Sequence, residues 1–194
     1  MVHLAVDIGG TFTDLMAFDP AGGTFRQAKS PTTSHDFAQG VIDCIAKSGL
    51  DVAAAGDLIH GTTVAINTLI ERQGARTALL VSRGTRDVYT IGRGNRPESY
   101  NLLFHRPRPL VPRHLTYEVP ERLLASGEVR TALDAGEVAA IAERIAAENV
   151  DAVAVCFLHA FTNPAHERAV GDILSQRLPD CYVSLSHEIL REYR

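Results

Sequence analysis

The feature that most narrows the folds open to this chain is an octapeptide, Asp7-Ile8-Gly9-Gly10-Thr11-Phe12-Thr13-Asp14, set between two short apolar runs, Leu4 to Val6 and Leu15 to Phe18. Two apolar strands joined by a glycine pair make a hairpin. Gly9 and Gly10 put no side-chain bulk at its tip and admit positive φ, so backbone N–H groups there are free to close on an anion. Thr11 and Thr13 add hydroxyl donors. Asp7 at the strand end and Asp14 beyond the tip add carboxylates, the hard oxygen ligands that suit Mg²⁺ when it keeps most of its waters and takes its other ligands from phosphates. The pattern points to a nucleotide-phosphate cradle, with an acid-flanked turn as the plainer alternative.

The remaining patterns describe an α/β chain. Strands are expected over Val2 to Ile8, Phe12 to Phe18 and about Thr24 to Lys29. A helix follows from near Ser34, with Phe37, Val41, Ile42 and Ile45 on one face and Gly49 as its stop. Leu58 to His60 reads as a short strand, the run after Gly61-Thr62-Thr63 as a helix, and Ala75 to Ser82 as a strand. From Gly84 to Leu115 glycines and prolines recur without a sustained period, too long a stretch for an inert connector. Tyr117 to Leu123 reads as a strand. Helix Asp134 to Ala147, strand Ala152 to Leu158, helix Asn163 to Leu178 and strand Tyr182 to Leu185 then alternate, the pattern of βαβ connections in a parallel or mixed sheet. Three parts result: a phosphate-binding part (1–83), an Arg/Pro/Gly-rich segment (84–115) and a βαβ part (116–194).

Within this frame, His60-Gly61-Thr62-Thr63 sits at a strand-to-helix junction, where unpaired N–H groups and the positive helix end attract anions. Asn67 follows one turn along the same helix. These residues either take a second phosphate or a substrate carboxylate, or simply cap the helix. Arg83, Arg86, Arg93, Arg96, Arg106, Arg108 and Arg113 face only Asp87 and Glu98 in the same stretch, a local excess of +5 in a chain whose net charge is −4. Such a patch either holds an anionic substrate bidentately or clamps the acidic remainder.

Composition bounds the rest. With 194 residues, 45% apolar and 22% charged, the chain has material for one sizeable domain or two small lobes. The negative balance argues against nucleic acid as a partner. No basic leader precedes Asp7 and no apolar run approaches a membrane span, so a cytoplasmic setting without membrane contact is expected. Cys44, Cys156 and Cys181 are widely spaced, which fits buried reduced thiols. A metal held by His159 and His166 is not expected, for want of further ligands.

The octapeptide resembles the first phosphate motif of the actin and sugar kinase ATPase superfamily, and most closely that of the hydantoinase/oxoprolinase family. Further stretches resemble the same family in order: His60 to Asn67, Ile91-Gly92-Arg93 with Arg96-Pro97, Arg106 to Arg113, Phe157 to Phe161 with Asn163-Pro164 and His166-Glu167, and Ser186-His187-Glu188 with Arg191-Glu192-Tyr193. The resemblance implies the amino-terminal lobe of an actin-like, ribonuclease-H-like α/β fold, a mixed sheet with flanking helices. It implies an ATP-dependent hydrolase of cyclic amides of the hydantoin or 5-oxoproline type. ATP and Mg²⁺ are the implied cofactors, with phosphate on the amides of Gly9, Gly10 and Thr11, metal on Asp7, and Asp14 orienting water or metal. Arg93 joins His60, Gly61, Thr62, Thr63 and Asn67 as an implied substrate contact. Other family branches leave open a ketone carboxylase subunit of the acetone or acetophenone type, and a non-catalytic assembly fragment. No second D-x-G-G-T follows Asp14, so the other ATPase lobe is expected from outside this chain, as a further lobe or companion subunit, and half a cleft should bind nucleotide weakly.

Overall fold

The computed structural model describes residues 1–92, 100–105 and 107–192. The chain divides into two compact units, Met1–Gly74 and Ala75–Arg194.

The first unit is a four-stranded mixed sheet with one helix across a face. Strands β1 (Val2–Ile8), β2 (Phe12–Asp19) and β3 (Thr24–Pro31) form an antiparallel meander. Helix α1 (Phe37–Ser48) then returns the chain so that β4 (Ala55–Thr62) lies parallel to β1, giving the order β3-β2-β1-β4. Helix α2 (Val64–Glu71) follows. Period-two alternation sorts the strand residues: Leu4, Val6, Ile8, Leu15 and Ala17 are buried with Cys44 of α1, while His3, Ala5, Asp7 and Met16 lie exposed. Helix α1 starts at Asp36 rather than Ser34, because the Asp36 carboxylate accepts the Ala38 N–H at 3.0 Å. It ends where expected, at Gly49 with φ 64°.

The second unit is built on a parallel sheet of order β10-β9-β5-β6. Its elements are β5 (Thr77–Ser82), α3 (Val88–Ile91), β6 (Thr116–Val119), a small hairpin of β7 (Arg122–Leu123) and β8 (Val129–Thr131), α4 (Ala135–Ala146), β9 (Ala152–Cys156), α5 (Ala165–Arg177), β10 (Tyr182–Leu185) and α6 (Ser186–Ile189). Leu80, Val119, Val153 and Val155 from the sheet meet Val138, Ile145, Val170 and Leu174 from α4 and α5, all at most 1% exposed. Each such side chain contributes about 1.5–3 kcal/mol. Gly171 lets α5 approach closely: a Cβ there would lie 2.9 Å from Leu185 Cδ1 of β10.

Three expectations are corrected. The stretch after Gly84 is not without regular structure, for α3 and a 3₁₀ turn at Arg113–Leu115 lie in it. The run 117–123 is two strands broken at Pro120, not one. Cys156 is exposed rather than buried, although Cys44 is buried as expected. Protein packed beneath the Cys156 sulfur, with the Glu167 carboxylate behind it, pushes that thiol up, so it stays protonated near neutral pH.

Candidate functional site

The candidate site lies at one end of the first unit's sheet, where β1 turns into β2 and β4 runs into α2. The tip is tied down by its own backbone and by one side chain. Gly9 N–H donates to Phe12 O at 2.9 Å, and Thr32 N–H donates to Thr11 O at 2.9 Å. Thr32 Oγ1 donates to Gly9 O at 2.9 Å and meets Thr13 Oγ1 at 3.2 Å. With the carbonyls of Gly9 and Thr11 engaged, the N–H groups of Gly10 and Thr11 make no hydrogen bond among the described residues. Two free donors on a held loop suit an anion.

The glycines serve close approach, not an unusual backbone: neither Gly9 nor Gly10 has positive φ. A Cβ on Gly9 would lie 3.0 Å from Phe12 O, and one on Gly10 would lie 2.8 Å from Asn67 Nδ2. Asn67 is held over the tip from α2, where its Nδ2 donates to Thr63 Oγ1 at 3.2 Å. The two motifs, 53 residues apart in sequence, thus meet, because β4 pairs with β1 through Asp7↔Gly61 and Ile8↔Thr62.

Register decides which side chains share a face. Asp7 lies opposite both Asp14 and Gly61, is exposed, and would touch a Cβ at Gly61 at 3.6 Å. Gly61 therefore leaves the space beside this carboxylate open. Asp14 sits on the same face, half exposed, paired with Lys29 at 3.1 Å. Thr13 departs from its expected role as a ligand donor. It is 0% exposed, and its hydroxyl faces Thr32 on the side covered by α1. His60 departs as well, since it pairs in register with Val6 and so belongs to the opposite face from Asp7. At the junction the capping reading holds for Thr62, whose Oγ1 accepts the Val64 N–H at 3.2 Å, whereas Thr63 makes no capping bond. Arg93 lies outside the described residues. In the same stretch Arg113 grips Asp87 with both Nε and Nη2, at 2.6 and 3.1 Å, and holds that carboxyl below its ordinary range.

Thr32 is the site residue that local pattern does not reveal, because its partners are 19 and 23 positions away. Thr32→Val keeps the volume, removes the donor to Gly9 O and strands the buried Thr13 hydroxyl. We expect a loss of about 1–3 kcal/mol in urea unfolding. An unchanged midpoint would mean that the tip holds its shape without this clamp.

With this geometry in view, the chain's kinship is plain. The model for the hydantoinase/oxoprolinase N-terminal region matches residues 3–178, and the chain belongs to that family. Its fold is that of the amino-terminal part of an actin-like ATPase domain. It is 33% identical to the caprolactamase subunit alpha of Pseudomonas jessenii, over 98% of this chain and 29% of that protein. The structure of the ATP-dependent caprolactamase from the same organism superposes with a TM-score of 0.82 at 31% identity, over 99% of this chain and 29% of that one. A nucleotide-free acetone carboxylase structure, from work on ATP-dependent acetone carboxylation, superposes with a TM-score of 0.85 at 28% identity, over 99% of this chain and 30% of that one. The chain spans less than a third of the length of these relatives. No helix among the described residues is long and apolar enough to cross a membrane.

Proposed function

We propose that this chain is the phosphate-binding amino-terminal part of an ATP-dependent hydrolase of cyclic amides, of the hydantoin or 5-oxoproline type. The observation that carries the reading is the pair of free N–H groups at Gly10 and Thr11, on a tip held by Thr32, with Asp7 exposed at the same end of the sheet. Nucleotide phosphate fits this donor set, since two N–H groups without partners stand on a tip held in place by Thr32, while glycine at position 10 makes room for Asn67 beside it. Mg²⁺ fits it as well. No three His, Cys, Asp or Glu side chains cluster as a cage among the described residues, and a lone carboxylate is how a hydrated, phosphate-bound Mg²⁺ is commonly held.

In this reading the Gly10 and Thr11 amides orient the phosphates, and Asp7 accepts from water bound to the metal. Lys29 holds Asp14 in place and leaves it able to orient a water. Asn67 limits how a ligand enters over the tip. Bound ATP would supply the phosphoryl group that makes a poorly electrophilic amide carbonyl open to water. The protein's part is positioning and charge stabilisation. Arg93 is kept as a substrate contact on sequence grounds alone. The remaining ATPase lobe comes from further chain or a companion subunit, in a cytoplasmic setting that suits three free thiols.

A ketone carboxylase subunit is the second reading, favoured by the TM-score of 0.85 to acetone carboxylase. The test reconstitutes this chain with the rest of its relatives' architecture and follows ATP-dependent turnover of hydantoin and 5-oxoproline against that of acetone with bicarbonate. Ring opening of a cyclic amide is the expected result, and carboxylation without ring opening would move the assignment to the second reading. The chain alone should bind ATP with Kd of about 1 mM or weaker, equivalent to roughly 4 kcal/mol. Micromolar binding would contradict a cleft shared with another lobe.

A further inference from the structure

Unit two carries a second concave site, separate in sequence from the residues assigned above. Strands β5 and β6 are parallel and end together, with Ser82 paired to Val119. At their carboxyl ends a cleft of about 350 Å³ is lined by Arg83, Pro120, Glu121, Arg122, Arg130 and Thr131. The carboxyl edge of a parallel sheet is where open α/β folds bind ligands.

Three arginines line it, and among the described residues none of their guanidinium groups has an ion pair or hydrogen bond. That sets them apart from Arg76, Arg113 and Arg177 of the same unit, which are paired with Glu148, Asp87 and Glu143. The acids nearby are already engaged. Glu121 turns one carboxylate oxygen to the Ser82 hydroxyl and the other to His166 Nδ1 at 2.7 Å, and Glu118 accepts the Gly84 N–H at 2.7 Å. The hairpin backbone brings two of these residues to one cleft. Arg122 pairs with Thr131 and Leu123 with Val129, so Arg130 is the extra residue of a β-bulge. A bulge re-aims a side chain, and here Arg130 and Thr131, neighbours in a strand, line the same cleft. Arg83 reaches the cleft from β5, its backbone fixed by Arg83 N–H to Val119 O at 2.9 Å.

We propose that this cleft binds the phosphoryl group of a small molecule. Arginine forks from the end of β5, from β7 and from β8, with a threonine beside them, match an anion with several oxygens and more than one charge, which a single carboxylate does not supply.

The test is calorimetry of the 194-residue chain with inorganic pyrophosphate. Arg83→Gln, and separately the pair Arg122→Gln with Arg130→Gln, should each weaken pyrophosphate by about tenfold or more, the scale of losing one charge-assisted contact. Thermal melts without ligand should not change, because these side chains make no bond within the described structure. Arg122→Lys should also weaken binding, since it keeps the charge and loses the fork. Gly10→Val should leave this binding intact. Affinity unchanged in both arginine variants would overturn the proposal. So would a loss confined to Gly10→Val, which would place pyrophosphate at the hairpin tip, or citrate binding as tightly as pyrophosphate, which would make the cleft a carboxylate site.

Discussion

Asp7→Ala is expected to lower ATP-dependent turnover of the assembled enzyme by roughly 10²–10³-fold, the scale of removing one preorganised electrostatic contact to a reacting group, and to leave the fold intact. The fold should survive because Asp7 is exposed on the face away from α1 and makes no bond to a described side chain. Turnover should fall because Asp7, at the strand end that leads into the tip, carries no ion pair among the described residues, whereas Asp14 is shared with Lys29. Turnover near wild type with Mg²⁺ present would remove Asp7 from the site. Gly10→Val is the companion measurement. Its first added carbon meets Asn67 Nδ2 at 2.8 Å, so either Asn67 leaves Thr63 or the tip moves. ATP affinity that ignores this change would reduce the octapeptide to an ordinary turn.

The contrast between Asp7 and Thr13 shows what a sequence can say about such a site. Strands β1 and β10 lie where alternation and flanking turns place them, Val2–Ile8 and Tyr182–Leu185, because those signals are local. The meeting of the glycine tip with Gly61 and Asn67 is not local. It depends on β4 choosing β1 as its parallel neighbour, in a register that no short pattern encodes. The same register sends His60 to the α1 side and Asp7 to the open side. The hydroxyl of Thr13 looked equal to that of Thr11 in the linear motif, yet Thr13 lies within β2 on its buried face, whereas Thr11 stands on the tip before the strand begins and is exposed. Helix α3 and strand β8, four and three residues long, are too short to carry a period. The stretch around α3 is tied by Arg113 on Asp87, across 26 positions, and β8 takes its form from pairing with β7. Cys156 sits inside an apolar run, Ala152 to Leu158, that reads as one fully buried strand, but β9 stops at Cys156, which is exposed at the strand's carboxyl end.

Glu167→Ala is expected to cost the second unit about 3–5 kcal/mol, the range for removing one partner from a buried charged network. The sequence marks Glu167 as an acid in the first turn of a helix and as part of a family-like stretch, without showing its partners. In the structure its side chain is 0% exposed and gathers four donors from two other places. Oε1 accepts the Phe157 N–H at 2.9 Å and the Ser186 hydroxyl at 2.6 Å, and Oε2 accepts the His187 N–H at 3.0 Å and lies 2.7 Å from His187 Nδ1. One carboxylate thus joins the end of β9, the start of α5 and the start of α6. Alanine leaves two backbone amides, a hydroxyl and a buried imidazole without their acceptor, each of which costs about 1–3 kcal/mol when unsatisfied unless water enters. Glu167→Gln should fall between wild type and alanine, since one oxygen still accepts while the amide nitrogen opposes a donor. The measurement is urea unfolding, with amide exchange at Phe157 and His187 to locate the loss. A second variant, His187→Ala, closes a double-mutant cycle whose coupling should exceed about 1 kcal/mol. If Glu167→Ala instead lost less than about 1 kcal/mol, water would be satisfying the stranded donors, and the junction of β9, α5 and α6 would rest on apolar packing alone.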